Sequence, residues 1–117
     1  MLDRSHRLTQ PRQFAAAIRG GRRSGGRLLV VHLGQEPSGD GQARVGLVVG
    51  KAVGNAVQRN RVKRRLRHLL RDRLALLPDG TNLVVRALPP TGTATSSELG
   101  SALDKAWSRL QPTGARR

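Results

Sequence analysis

Hydrophobic residues recur along the middle of the chain with the period of an α-helix. From residue 57 to about residue 76 the apolar positions follow the i, i+4, i+7, i+8 spacing of one buried face. These positions are Val62, Leu66, Leu69, Leu70, Leu74 and Leu77. Asn55 and Gln58 have the spacing of a capping box, in which side chains and backbone N–H groups pair reciprocally. The sequence Pro-Asp-Gly at residues 78–80 then ends the predicted helix.

Two more helices are predicted near the ends of the chain. Thr9 can cap the first, which leads into Phe14 and stops at the glycine pair at residues 20 and 21. The last helix covers residues 97–110, and a second capping-box pattern precedes it at residues 95–98. One stripe of this last helix is predicted to be buried, and it contains Leu99, Leu103, Trp107 and Leu110.

Branched apolar runs of strand length separate these helices. They occupy residues 27–33, 44–50 and 81–87. Residues 34–42 contain proline and glycines and predict a connection between antiparallel neighbouring strands. Residues 22–26 are interpreted as a basic turn. Residues 88–97 are interpreted as an exposed loop. This order of elements predicts an α+β sandwich, with one domain over residues 1–110 and a disordered basic tail over residues 111–117.

The charge balance indicates a polyanionic partner. The 117 residues include 22 Lys and Arg against 7 Asp and Glu, a net charge of +15, which attracts nucleic acid. No run of about 18 apolar residues and no apolar secretory stretch is present, so we expect no membrane contact and a cytoplasmic location. Cysteine is absent and the three histidines are scattered, so we expect no metal bound by protein side chains alone.

Basic residues are concentrated on the predicted central helix. Residues 59–73 contain eight Arg or Lys residues and one acid, Asp72. A solvated charged face is the alternative interpretation, but such faces normally mix signs, and we therefore predict phosphate binding. Asn60, within this cluster, is either a contact to a base edge or sugar or a polar residue of the first turn. The preference for Arg over Lys agrees with phosphate recognition, although a GC-rich genome would produce it too.

Aromatic residues are too few for recognition by base stacking. Modules that stack bases on a sheet or in a channel use several rings, and this chain has Phe14 and Trp107. Trp107 lies on the apolar stripe of the last helix and is predicted to be a core residue. For Phe14, core packing and base stacking both remain open.

One family has these motifs in the same order. The sequence RVGLVV at residues 44–49 is followed by Lys51, by VGNAV at residues 53–57 and by RNRVKR at residues 59–64. This arrangement resembles the protein component of bacterial ribonuclease P, and the resemblance covers roughly residues 4–110.

The resemblance implies a protein cofactor for a catalytic RNA that removes the 5′ leader from precursor tRNA. The RNA subunit, which requires Mg²⁺, would perform the chemistry, and the protein would contribute no catalytic residue and need no obligate protein partner. Its RNA contacts would fall on the central helix, with Lys51 and Asn55 in support. Together with Arg65 from the basic face, the predicted contacts on the helix are Arg59, Asn60, Arg61, Lys63, Arg64, Arg65 and Arg67.

The family also holds the leader in a cleft between its first helix and the sheet. Phe14 matches an aromatic residue of that cleft, while Ile18 and His32 stand where the family often has further aromatic residues. The implied fold is a two-layer sandwich with a mostly antiparallel four-stranded sheet, like a ribosomal-protein domain, and with a left-handed βαβ crossover. We place the fourth strand near residues 51–53.

Two other functions have to be compared with this one. A structural RNA-binding protein of the ribosomal type would share the same electrostatics. A DNA-binding regulator would need a recognition helix beside a short partner helix, but the basic helix here follows a strand.

Overall fold

The structure is a computed structural model that describes residues 21–35 and 43–110. The predicted first helix, with Phe14 and Ile18, and the predicted tail lie outside the described residues. In the described part, the chain forms four strands and two α-helices, with three of the strands before the first of these helices. They are β1 (Arg22–Gly25), β2 (Leu29–Gln35), β3 (Arg44–Val49), α1 (Ala56–Arg73), β4 (Thr81–Ala87) and α2 (Ser96–Leu110). Short 3₁₀ turns occupy Lys51–Val53, Leu74–Leu76 and Pro89–Thr93.

The sheet has the strand order β1-β2-β4-β3. The pairs β1–β2 and β2–β4 are antiparallel, and β3–β4 is parallel. The predicted mixed α+β fold with a mostly antiparallel four-stranded sheet is therefore confirmed. The segment β3–α1–β4 is the βαβ unit of this sheet, because its two strands are parallel neighbours.

The position of the fourth strand was predicted wrongly. Residues 51–53 form a 3₁₀ turn, and the fourth strand is β1, in the stretch interpreted as a basic turn. Three of its four residues are exposed, and Ser24 faces inward. A charged edge strand of this kind lacks the apolar run that identifies a strand, and its charges prevent further pairing at the edge.

The strands β2 and β3 are not neighbours, contrary to the connection predicted for residues 34–42. β4 lies between them and pairs with both. Val84 and Val85 point to opposite faces of the sheet and are both 0% exposed. A strand that is buried on both faces belongs in the middle of a sheet, which is why β4 takes this place although it comes last in sequence.

The core lies between one face of the sheet and the two helices. Val31, Val85 and Val45 contribute from the strands. The predicted helix positions Val62, Leu66, Leu70, Leu99, Leu103 and Leu110 are all buried, while Leu69, Leu74 and Leu77 are partly buried against the same cluster. Trp107 was predicted to be a core residue, but it is half-buried, and the neighbouring Ala106 is buried instead. The bulky indole lies at the margin of the stripe, where solvent reaches it.

The segment predicted as an exposed loop at residues 88–97 is partly buried. Thr91 is 0% exposed and Ala94 is 5% exposed. The Thr91 hydroxyl donates a 2.8 Å hydrogen bond to the Leu88 carbonyl. A threonine whose hydroxyl is hydrogen-bonded to the local backbone can be buried at little cost. The polar composition of residues 88–97 therefore led to a wrong prediction of exposure.

Two further properties follow from the described elements. No helix among residues 21–35 and 43–110 is long and apolar enough to cross a membrane. In the same residues, no group of three or more His, Cys, Asp or Glu side chains is arranged to hold a metal ion.

Candidate nucleic-acid interface

The start of α1 is fixed by the predicted capping box. The Gln58 backbone N–H donates to Asn55 Oδ1, and the Asn55 backbone N–H donates to Gln58 Oε1, both at 2.9 Å. Two N–H groups that the helix cannot satisfy internally are thereby paired. Asn55 was predicted as a supporting RNA contact, and in the structure it is the residue that caps the start of α1.

A glycine is required directly before this cap. Gly54 has φ 154°, and a Cβ placed on it would overlap the Gln58 side-chain amide, with Cδ only 2.8 Å away. Any larger residue would displace the side chain that completes the capping box. The lead-in to α1 is the 3₁₀ turn Lys51–Val53, in which Lys51 is exposed.

The outward side of α1 is basic along its length. Asn60 and Arg64 are exposed, and the neighbouring basic side chains are half-exposed. At 100° per residue, Asn60 and Arg64 lie opposite the buried Val62 and Leu66, and the half-exposed basic residues flank them. We call this surface the cationic face, and it consists of Asn60, Arg61, Lys63, Arg64 and Arg67.

No carboxylate neutralises the cationic face in the part of the chain that the structure describes. The ion pairs found there are Arg27–Glu98 at 4.0 Å, Arg71–Asp72 at 3.7 Å and Arg73–Asp104 at 2.7 Å, and none includes a residue of the cationic face. Like charges crowded on one helix face destabilise it. An external anion would relieve that repulsion.

Two predicted contacts are placed differently from the rest. Arg65 Nη1 donates a 2.8 Å hydrogen bond to the Ala94 carbonyl and so ties α1 to the segment before α2. Arg59 is half-buried, and its Nε is buried with no hydrogen-bond partner among the described residues. The structure therefore does not bring these two guanidinium groups fully onto the exposed arc.

Arg73, at the end of α1, links the two helices. Its Nε and Nη2 donate to the carboxylate of Asp104 at 2.7 and 3.2 Å, and its Nη1 donates to the Leu69 carbonyl at 2.9 Å. The hydrogen bond from Arg73 lowers the pKa of Asp104, although partial burial opposes this shift. This bidentate pair fixes α1 against α2 rather than presenting a charge to a partner.

His32, predicted for the leader cleft, lies on the other face of the sheet. Its neighbours Val31 and Leu33 pack toward the core cluster, so the alternation along β2 directs His32 away from it. His32 pairs in register with Arg23 and Val84. Burial lowers its pKa, and the positive charges of Arg23 and Arg86 lower it further.

The sequence interpretation missed Arg23 and Arg86 as neighbours of His32. Only the strand register places them there, since they are distant in sequence. The sheet separates this face from the cationic face of α1. His32 therefore lies on a different surface from the cationic face, and Phe14 and Ile18 lie outside the described residues.

Comparison with known proteins decides the family. The sequence profile of the family described as Ribonuclease P matches residues 2–111. The chain belongs to this family. It is 53% identical over 123 residues to the ribonuclease P protein component of Streptomyces avermitilis, covering 99% of this chain and 100% of that protein. A relative with the same name from a Nocardioides species is 52% identical over 111 residues, covering 94% of this chain and 95% of the relative.

Solved structures of the ribonuclease P protein agree with the fold. The Staphylococcus aureus RNase P protein superposes with a TM-score of 0.82 at 23% identity and covers 92% of this chain and 97% of that one. The Thermotoga maritima protein gives a TM-score of 0.76, also at 23% identity, with coverage of 91% and 98%. At this identity the likeness concerns the fold. The full-length sequence matches favour ribonuclease P over a ribosomal-type protein.

Proposed function

We propose that this ribonuclease P family protein binds the catalytic RNA of the ribonucleoprotein through the cationic face of α1 and assists removal of the 5′ leader from precursor tRNA. The observation that carries the proposal is the lack of any carboxylate partner for that face among the described residues. Phosphate groups of an RNA would supply the missing negative charge. Guanidinium groups suit this role because they donate two parallel hydrogen bonds to one phosphate.

The helix is arranged so that the charges remain accessible. The capping box fixes its first turn, and Leu66 and Leu70 anchor its inner side in the core. The basic side chains are thus held on a rigid element rather than on a loop. A prepositioned face loses less conformational entropy when it binds.

We assign the hydrolysis itself to the RNA subunit, which in this proposal requires Mg²⁺. Two of the described carboxylates have structural roles that support this assignment: Glu98 caps α2 and Asp104 accepts hydrogen bonds from Arg73. The protein would bind no cofactor alone and would act by binding and positioning RNA. With RNA partners made in the cytoplasm, the proposal also places the protein there and requires no further protein subunit.

For the leader, the proposal uses the opposite face of the sheet. His32 lies there in a buried position, near the charges of Arg23 and Arg86. Phe14 and Ile18 complete the predicted cleft on the basis of the family resemblance. Leader contact and RNA anchoring would then occupy separate surfaces of one small domain.

Cleavage of precursor tRNA tests the main proposal. The full chain is combined with the ribonuclease P RNA of the same genome, and cleavage is measured at a low Mg²⁺ concentration at which the RNA alone is inactive. We expect the protein to restore cleavage at the 5′ end of the mature tRNA. Tight RNA binding without restored cleavage would instead favour the structural RNA-binding alternative, and equal affinity for duplex DNA at matched salt would favour a DNA-binding regulator.

The salt dependence of binding tests the role of the cationic face. The four cations of this face, with the exposed Lys51 in support, give about five phosphate contacts and predict a slope of about −4 in log K against log salt. Arg64→Gln and Arg61→Gln should each make the slope shallower by about 0.7 to 0.9. A wild-type slope near zero would contradict phosphate binding altogether.

Substitution of Phe14 tests the leader surface. Phe14→Ala should weaken binding of precursor tRNA that has a leader, while mature tRNA and the catalytic RNA bind as before. Phe14→Leu serves as the control for packing, since it keeps most of the apolar volume. If Phe14→Ala unfolds the domain and Phe14→Leu restores both folding and leader affinity, Phe14 is a core residue and not a stacking residue.

A further inference from the structure

A groove of about 390 Å³ lies at the edge of the sheet farthest from β3. Its walls are the turn that joins β1 to β2 and the side of α2 that faces this turn. α1 packs near β3, at the other edge. With strands about 4.8 Å apart, β1 and β3 are separated by about 14 Å across the sheet, so the groove and α1 lie at opposite edges of the sheet.

The groove has an excess of positive charge. Arg27 lines it from the turn, and Lys105 and Arg109 line it from α2, against the single acid Glu98. The Glu98 carboxylate is already used: Oε1 accepts a 2.8 Å hydrogen bond from the Thr95 backbone, and Oε2 lies 4.0 Å from Arg27. The hydrogen bonds with Thr95 lower the pKa of Glu98, and the positive charge of Arg27 lowers it further. Lys105 and Arg109 have no ion pair with any described residue.

Hydrogen-bond donors form a regular stripe along the helical wall. Ser97, Ser101, Lys105 and Arg109 follow one another at intervals of four residues, line the groove and are exposed. At 1.5 Å per residue, the stripe is about 18 Å long. Two hydroxyl groups and two cationic groups thus face the same channel, an arrangement that suits a chain of anionic groups better than a single ion.

The remaining walls point to a ligand recognised by its charge. Ala102 and Ala106 are the apolar lining of the helical wall, and no aromatic side chain of residues 21–35 and 43–110 lines the groove. These residues therefore offer a nucleobase no ring to stack on. The volume lies at the lower end of the range for small-ligand sites, which is enough for one nucleotide unit but not for a duplex.

We propose that this groove binds the phosphodiester backbone of a single RNA strand, as a second contact surface separate from the cationic face. The proposal rests on the proposed function, because it assumes that the protein works on RNA. It assigns Lys105 and Arg109 to phosphate contact, with Ser97 and Ser101 as hydroxyl donors. Contacts on two sides of the domain would let it bridge two segments of RNA.

Charge-neutral substitutions test this proposal in the full chain. The probe is the ribonuclease P RNA of the same genome, and its affinity is measured from 0.05 to 0.5 M salt. Lys105→Gln and Arg109→Gln should each make the salt slope shallower by about 0.7 to 0.9, which amounts to an affinity loss of about three- to sixfold at 0.15 M salt. Arg22→Gln is the matched control, because Arg22 is an exposed cation on the edge strand β1 that does not line the groove.

The outcomes separate this inference from the proposed function. If Arg64→Gln weakens binding while both groove variants bind like Arg22→Gln, the cationic face is correct and the groove proposal is wrong. A wild-type protein that does not bind the RNA would overturn both. Larger losses for the groove variants than for Arg22→Gln support the groove, provided that thermal unfolding shows all variants folded.

A second measurement locates the RNA directly. The chain contains no cysteine, so Ser101→Cys introduces a unique thiol in the groove. Ser108→Cys is the control, on the same helix and exposed but outside the groove lining. Bound RNA should slow alkylation by N-ethylmaleimide several-fold more in Ser101→Cys than in Ser108→Cys. Equal protection of the two thiols would overturn the proposal.

Discussion

Arg65 donates a hydrogen bond from Nη1 to the carbonyl oxygen of Ala94 across 2.8 Å, joining the basic helix to the segment that leads into α2. Arg64, the preceding residue, is exposed and points away from the core. Two adjacent arginines of α1 therefore have different roles. One stabilises the packing of the domain, and the other is available to a partner.

Substituting these two arginines in parallel separates the tasks. Arg65→Gln should lower the free energy of unfolding by about 1 to 3 kcal/mol, because the buried Ala94 carbonyl loses a charged donor. Arg64→Gln should change it by less than about 0.5 kcal/mol and should weaken RNA binding instead. Urea unfolding and RNA titration measure the two effects. Equal stability of the two variants would contradict the assignment.

The capping box depends on a residue that does not take part in it. Gly54→Ala would place a Cβ against the Gln58 side chain and displace it from the Asn55 backbone. We expect a loss of about 1 to 2 kcal/mol in the free energy of unfolding, the usual range for a lost cap. Gln58→Ala removes the same hydrogen bond without straining the backbone at residue 54, where φ is 154°, so it should cost less than Gly54→Ala. The double variant should lose less than the sum of the two, because both changes remove that hydrogen bond. Additive losses in urea unfolding would show that Gly54 acts in another way.

A close backbone approach holds the Pro89–Thr93 turn against the lead-in to α1. A Cβ on Gly92 would lie 2.6 Å from the Val53 carbonyl oxygen, so Gly92→Ala must shift one of the two segments. The expected loss is about 1 to 3 kcal/mol, as for other overpacked sites. Gly50→Ala is the control, since nothing lies within 4 Å of its Cβ position and its φ is −85°. Thermal unfolding should show a clearly lower midpoint for Gly92→Ala only.

The buried histidine makes stability depend on pH. Burial and the nearby charges of Arg23 and Arg86 lower the pKa of His32 in the folded protein, so the unfolded chain takes up a proton more readily. The stabilising contribution is present above the unfolded pKa near 6.5 and is lost as the pH falls from there through the folded pKa. Urea unfolding at pH 7.5 and pH 5.5 should show a larger drop for the wild type than for His32→Gln. An NMR titration that places the folded pKa above 6.5 would refute the shift.

Several secondary-structure elements can be predicted from the sequence, because their signals lie in neighbouring residues. Both capping boxes, the buried stripe of α1 and the bounds of β4 can be predicted from neighbouring residues, because spacing along a helix or strand sets which side chains can meet. The basic composition of α1 and the motif at residues 59–64 likewise indicated the family. No contact between distant segments was needed for these conclusions.

Other features depend on which distant segments come into contact, and these required the tertiary structure. β1 is a strand because it pairs with β2, and β4 separates β2 from β3 because it is buried on both faces, at Val84 and at Val85. The burial of Thr91 and the bond from Arg65 to Ala94 depend on how the segments before α2 pack, as does the groove beside α2. The pairing of strands and the packing of segments depend on the total surface that is buried and on hydrogen bonding of all buried backbone groups. A pattern of neighbouring residues does not contain this information.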